Sequence, residues 1–299
     1  MIAEFMIGGM PFDIIWELFG YAILAALVAG IVAPLVGSFL LVRRTGFYGI
    51  TLPQFAAAGI AFGFAILPWW EEHFGDYLHP VDMGDQAHLA LGYHMQWAGL
   101  FTLIGIVAMT FAGRKKDGTE TGVMAAAFAI ATATTILLAQ ASAQGDIFVT
   151  ELLKGEILTI DVHEFGVLAI CLAVVGIVIV VFRREFVQTG YDPELARVLG
   201  RRVIFWEGLL MLLVGITVSA SVMTVGPIVL FGLLVIPPLA ARGFAGSMAH
   251  FLAISSVLGF LSALGGVWTS FHFDWPLGPS LVVFAALFLI PRALGLARK

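Results

Sequence analysis

The sequence predicts an all-α polytopic membrane protein, a bundle of about nine transmembrane helices, and three features predict it. Hydrophobic residues fill 60% of the 299 positions and charged residues only 12%, against roughly 25% charged in a soluble domain. Apolar runs long enough to cross about 30 Å of hydrocarbon, which takes roughly 20 helical residues, recur along the whole chain. Fourteen of the fifteen Lys and Arg residues fall in every second gap between those runs, and only Lys154 breaks the pattern. Such sorting marks the basic gaps as cytoplasmic. The net charge of −5 is therefore a sum over two faces of opposite character.

The first span covers 17–42, after an acidic segment with Glu4, Asp13 and Glu17 that stays outside. Arg43 and Arg44 close it, and a second span follows over 51–70. An external loop over 69–97 carries Glu71, Glu72, Asp76, Asp82 and Asp85, and a third span runs over 96–112. Arg114, Lys115 and Lys116 mark the return to the cytoplasm before a fourth span at 120–141. A second acidic gap, with Asp146, Glu151, Glu156, Asp161 and Glu164, leads to the fifth span at 163–182. Residues 183–202 form the longest internal loop. The stretch 203–241 is apolar throughout, and as one helix it would rise about 58 Å, too long for one crossing. It splits near residues 223–227 into spans at 203–221 and 224–241, and spans at 250–271 and 276–291 complete the set. Nine crossings put the basic tail Arg298-Lys299 inside, opposite the N-terminus.

Several classes fall away. The first apolar run is too long, and lacks the basic lead-in, for a cleavable signal. Cys171 stands alone, which leaves no intrachain disulfide or cysteine metal cage. No loop exceeds about 30 residues, so residues 1–299 form a single membrane domain. The chain lacks G-x-x-x-x-G-K-[ST] and has no Walker-type ATP loop. No nucleic-acid partner is expected, because the basic residues follow topology. An ion-driven carrier needs ionisable groups at mid-membrane depth, yet the span interiors are nearly free of them, Glu207 lying about a turn from a basic end. Energy for transport would have to come from another subunit. The pattern Gly59-x-x-x-Gly63 beside Ala56, Ala57 and Ala58 suits either close helix packing or pathway lining.

The internal loop holds its own signal. Asp192-Pro193-Glu194 reads as a helix start, with an N-cap acid, a proline at the first helical position and an acid in the first turn. Leu195, Ala196, Val198 and Leu199 give a short apolar face, and Gly200 is a C-terminal stop. Such a helix docks into a partner's groove or lies on the bilayer surface. Physics alone leaves both open.

Four blocks, collinear from about residue 28 to the C-terminus, resemble the membrane permease subunits of ABC importers for zinc, manganese and iron, and more distantly the cobalamin and iron-siderophore permeases. RRTGFYGITLPQFAAAGIAFG (43–63) is similar to the family's R-R-x-x-x-x-G-D-x-[LI]-x-H-[AS]-x-x-x-G-x-x-x-G. Residues 191–200 resemble its D-x-x-x-A-x-x-x-G loop, VGPIVLFGLLVIPPLAAR (225–242) its glycine turn and Ala-Arg helix, and WPLGPSLVV (275–283) the opening of its last span. The resemblance implies a type II ABC importer permease in a bacterial inner membrane, with two copies forming the core. It implies that Tyr191, Asp192, Glu194, Leu195, Ala196, Arg197, Val198, Leu199 and Gly200 form a coupling helix inserted into a cytoplasmic ATPase. ATP would be bound by that partner, with no cofactor on this chain and no enzyme activity in it. A periplasmic or lipoprotein substrate-binding protein would deliver cargo at the outer face.

The departures from the family matter as much. Where the metal importers carry Asp and His one turn apart on the second span, this chain has Ile50 and Gln54. An anionic oxygen and an imidazole four residues apart share a helix face and could hold a divalent cation; Gln54 offers only a neutral oxygen, and Ile50 offers nothing. Pro53 is expected to alter the local helix start and free a backbone carbonyl. Candidate pathway residues are Thr51, Gln54, Gly59, Gly63 and Glu156. Glu156 lies in Gly155-Glu156-Ile157-Leu158, which matches the family's G-[DE]-I-L element near the pathway mouth, and reads as a substrate contact or as a capped interfacial helix end. Outside, His73, His79, His88 and His94 are candidate metal ligands by chemistry, but their spacing matches no recognised site, and a solvated loop among interfacial aromatics accounts for them too.

The expectation is an importer permease for a divalent transition metal. The alternatives are a permease for a metal chelate or other non-ionic cargo, and a non-transporting scaffold or sensor on the same bundle.

Overall fold

Helix α1, Phe12–Val42, is the axis of the bundle in the computed structural model. The structure describes residues 6–7, 10–43, 45–74, 86–112, 120–141, 143–154, 160 and 162–294. Around α1 pack α6 (Val162–Val181), α9 (Val203–Val225), α10 (Pro227–Ala241) and α11 (Met248–Phe273). Lipid tails are as apolar as leucine, so close packing of small residues must hold helices together. Accordingly Ala25, Ala26, Ala29 and Ala33 are inaccessible. Gly30 lies against the backbone of Gly259 in α11, and Gly37 against the backbone of Leu234 in α10.

A second layer is built on α2, Gly46–Phe74, which packs against α3 (Gln86–Ala112) and α4 (Glu120–Ala139). Helix α5, Ala143–Lys154, has only 12 residues and tucks Val149 and Leu152 inward, touching α2, α4, α9 and α10. Helices α7 (Arg183–Tyr191) and α8 (Pro193–Val198) lie between α6 and α9, while α12 (Leu277–Leu287) and α13 (Ile290–Ala293) close the chain. A two-residue antiparallel pairing, β1 (Met6–Ile7) with β2 (Met10–Pro11), is the only strand structure among the described residues. On α4 and α6, Ile130, Leu137, Ile170 and Ile177 are each more than 60% exposed. Rows of bare aliphatic chains on two helices suit hydrocarbon and not water.

Seven helices among the described residues are long and apolar enough to cross a membrane. Two more, α10 with 15 residues and α12 with 11, occupy the places expected for spans at 224–241 and 276–291 but are shorter. The expected break in the 203–241 stretch falls at Gly226, whose φ of 79° and ψ of 158° suit glycine, and Pro227 starts the next helix.

Other boundaries differ from expectation for a common reason. Hydropathy sees the apolar middle of a helix, whereas helix hydrogen bonds continue into its polar ends. Helix α2 begins at Gly46 rather than 51, and Pro53 lies inside it rather than at its start. The ring removes one N–H, a loss that membrane helices tolerate when neighbours pack around the break. Helix α2 also runs on to Phe74 and α3 starts at Gln86, so most of the external loop expected over 69–97 is helical. Residues 183–191, expected as loop, form α7.

Candidate functional site

One end of the bundle is organised around Arg43, the residue after α1. Its side chain is only 8% exposed, and Nη1 lies 3.4 Å from Glu207 Oε1 on α9. Nη2 donates to Thr189 Oγ1 on α7 at 3.4 Å, and Gly190 leaves room for the arginine stem. Burial pushes the Arg43 guanidinium below its ordinary value, and the Glu207 carboxylate opposes that shift. Phe186 of α7 is fully buried, edge-on to Phe39 of α1 and to Trp206 of α9, with ring centroids 5.6 Å away in both cases. One cation and one aromatic wedge thus fasten α7 to both α1 and α9. The sequence reading placed Arg43 as a topology signal and Glu207 about a turn from a basic span end, and the fold brings the two together.

From that anchored base the chain turns into α8. Asp192 Oδ1 accepts from the Leu195 N–H at 2.9 Å, and Pro193 fills the first helical position, as the sequence indicates. At the other end Gly200 N–H donates to Arg197 O at 3.0 Å and Arg201 N–H to Ala196 O at 2.9 Å. Gly200 sits at φ 75°, so these are the paired bonds of a Schellman stop. The expected apolar face is split. Ala196 turns inward at 2% exposure, while Leu195, Val198, Leu199 and Tyr191 turn outward at 54, 83, 67 and 83%. Glu194 and Arg197 are exposed beside them. Helix α8, capped at both ends, and the residues that flank it therefore present four large apolar or aromatic side chains at the same end of the bundle as Arg43.

The α2 candidates lie deeper. Thr51 is buried, its hydroxyl donating to Phe47 O at 3.0 Å. Gln54 is 7% exposed, and its Oε1 has no hydrogen-bond partner among the described residues. Ile50 is half-buried. Farther out, Gly59 and Gly63 face α3: Gly59 lies on the Trp97 backbone, and Gly63 O accepts from the Tyr93 hydroxyl at 3.2 Å. The two glycines thus line the α2–α3 seam.

The histidines are dispersed. His94 is buried and stacks on Phe64 at 4.0 Å, its Nδ1 beside Gly63 and without a hydrogen-bond partner among the described residues. His73 is exposed, stacks on Trp69 at 4.6 Å and holds Nδ1 3.0 Å from Trp69 O. His79 and Glu156 lie outside the described residues, as does the His88 side chain. Among the described residues no group of three or more His, Cys, Asp or Glu side chains could hold a metal ion.

Comparison with known proteins places this geometry. The profile of the ABC 3 transport family matches residues 16–295. The manganese import system permease protein ScaB of Streptococcus gordonii is 25% identical over all of this chain and 99% of its own length. The chelated iron transport system membrane protein YfeD of Yersinia pestis is 25% identical over 94% of this chain and 88% of its own. Among solved structures, PsaBC from Streptococcus pneumoniae, in complex with Fab, aligns with a TM-score of 0.74 and 25% identity over 93% of each chain.

Proposed function

Because the chain belongs to the ABC 3 transport family, we infer that it is the permease subunit of an ABC importer, carrying a divalent transition metal (manganese, iron or zinc) across the membrane. It is not itself an enzyme; ATP is bound and hydrolysed by a separate chain. In this reading α10 and α12 also cross the bilayer, giving nine spans in a bacterial inner membrane, with the basic gaps inside. A second permease copy completes the core, and a periplasmic or lipoprotein binding protein delivers the metal at the outer face.

One observation carries the reading. The outward Leu195 and Val198 sit on α8, a helix capped at both ends, with Tyr191 and Leu199 flanking it, and Phe186 of the adjoining α7 ties the segment to α1 and α9. Caps serve any helix end; a rigid base beneath outward-turned apolar side chains is what a force-transmitting contact needs and a helix merely resting on lipid does not. This segment is proposed as the coupling helix that enters a groove of the ATPase.

A second reading concerns cargo. With Ile50 and Gln54 on α2, neither of these two positions holds a carboxylate or an imidazole, and a neutral oxygen holds a bare divalent ion weakly. Weak holding favours conduction of a bare ion and equally suits a chelate that keeps its own ligands. Uptake of radiolabelled manganese, iron and zinc into vesicles holding the full complex, with and without chelator, separates the two. Metal-alone uptake driven by ATP is the expected result; uptake only with chelator would overturn the bare-ion cargo.

A further inference from the structure

Helices α3 and α9 touch toward the outer face and part toward the cytoplasm. Gly215 of α9 packs on Ile106 and Thr102 of α3, and Gly99 stands against Ser219. Two turns nearer the cytoplasm, nothing lies within 4 Å of where a Cβ on Gly208 would sit. The space between the diverging helices is a cleft of about 1110 Å³. Its walls include Leu103 and Ile106 from α3 and Met211, Leu212 and Ile216 from α9. Leu103 and Leu212 are 55 and 57% exposed, so the lips open sideways toward hydrocarbon.

The inner end of the cleft is polar. Arg43, Thr110, Thr189, Arg197 and Glu207 line it, and the α7–α8 segment forms one side. Two cations, Arg43 and Arg197, thus share the inner end with one carboxylate, Glu207. The Arg43 Nε has no hydrogen-bond partner among the described residues. An apolar slot at bilayer depth that ends in excess positive charge at the cytoplasmic surface matches one kind of molecule. The inner leaflet supplies it, because its anionic lipids are drawn to juxtamembrane arginines.

We infer that the α3–α9 cleft holds an anionic phospholipid of the cytoplasmic leaflet, its acyl tail between the helices and its phosphate at Arg43 and Arg197. A lipid so placed touches α8, and through it the membrane's composition reaches the coupling segment. That consequence rests on the importer reading; the binding itself does not.

The test uses the purified permease chain in detergent, without ATPase or cargo, and reads bound lipid by native mass spectrometry. Phosphatidylglycerol and phosphatidylcholine of identical chains are offered at equal concentration. The expected result is a preference for phosphatidylglycerol of roughly fivefold or more, about one such factor for each nearby arginine. Arg197→Gln should reduce that preference by about the same factor, and it leaves the apolar packing untouched. Gly208→Trp, which fills open space in the cleft, should remove both lipids. Arg184→Gln, an exposed arginine outside the cleft, is the matched control and should change nothing. Equal retention of the two lipids would overturn the inference. So would an Arg184→Gln loss as large as that of Arg197→Gln, which would assign the attraction to the whole basic face. A dimer that binds no lipid and dissociates in Gly208→Trp would give the cleft to a second copy instead.

Discussion

The α7–α8 segment and the outer seam between α2 and α3 are both rich in aromatic and small residues, yet they are organised in opposite senses. In the seam everything turns inward: Gly59 meets the Trp97 backbone, the Tyr93 hydroxyl reaches Gly63 O, and His94 stacks on Phe64. In α7–α8 only Phe186, Thr189 and Ala196 turn inward, and the large chains at 191, 195, 198 and 199 turn out. A closed seam serves the fold. An uncovered apolar face on a rigid base serves a contact with something else. If that contrast is right, mutations should divide cleanly between those that unfold the protein and those that only uncouple it.

The largest uncoupling effect is expected at Leu195. Leu195→Asp leaves the fold intact, because the side chain is 54% exposed in the isolated chain. At an interface it places a charge where an apolar anchor belongs, which costs about 2–4 kcal/mol, or roughly 30- to 1,000-fold in affinity for the ATPase. Co-purification of the ATPase and transport-linked hydrolysis are the measurements, and unchanged values for both would remove the docking role.

Gly59→Leu should show the converse. A Cβ there would lie 2.9 Å from Phe101 Cβ and closer still to the Trp97 backbone, so the helices must separate. Overpacking of this kind costs about 1–3 kcal/mol. Thermal unfolding in detergent should register it, while the fraction still folded binds the ATPase normally. A stable Gly59→Leu protein would mean that the seam is loose enough to open.

The same contrast explains what the sequence made legible. Helix α8 was readable because its ends are set by local chemistry: an acid that caps, a proline at the first position and a glycine at positive φ each act within four residues. The break at Gly226-Pro227 was readable for a different reason: a single helix over 203–241 would be too long for one crossing. The inward turn of Ala196 was not, because it depends on α9 lying beneath it. Nor could the α2 reading foresee Pro53 inside a helix, since neighbouring helices hold that helix together across the missing bond. The bond from Arg43 to Thr189 spans 146 positions in sequence and was beyond any local signal. Of the histidines, chemistry alone suggested a shared role, and only the fold shows His94 sealed between α2 and α3 with His73 exposed at the end of α2.

A smaller effect should follow from Gly200→Val. The site is open, with nothing within 4 Å of a Cβ, so any cost comes from the backbone at φ 75°. A β-branched residue held in that conformation loses about 1–2 kcal/mol, and the stop of α8 frays instead. ATPase coupling should weaken by about tenfold, and Gly200→Asn should weaken it less, since asparagine tolerates the left-handed region. Equal losses for the two variants would show that the stop depends on something other than φ.

The smallest effect on stability is expected at Gln54, where any change should fall on metal flux. Its Oε1 is buried and unpartnered among the described residues, a situation that by itself opposes folding. Gln54→Leu keeps similar bulk and removes the orphaned oxygen, so thermal stability should hold within about 1 kcal/mol or rise. If the oxygen is kept because a bare metal ion touches it in passing, metal flux through the reconstituted complex should fall although the protein is no less stable. Gln54→Glu then tests the sign of the contact. A carboxylate one turn from Ile50 should hold a divalent ion more tightly and slow its release. If both variants transport at the rate of the original chain, Gln54 is not a cargo contact, and the metal crosses this level wrapped in ligands that it brings with it.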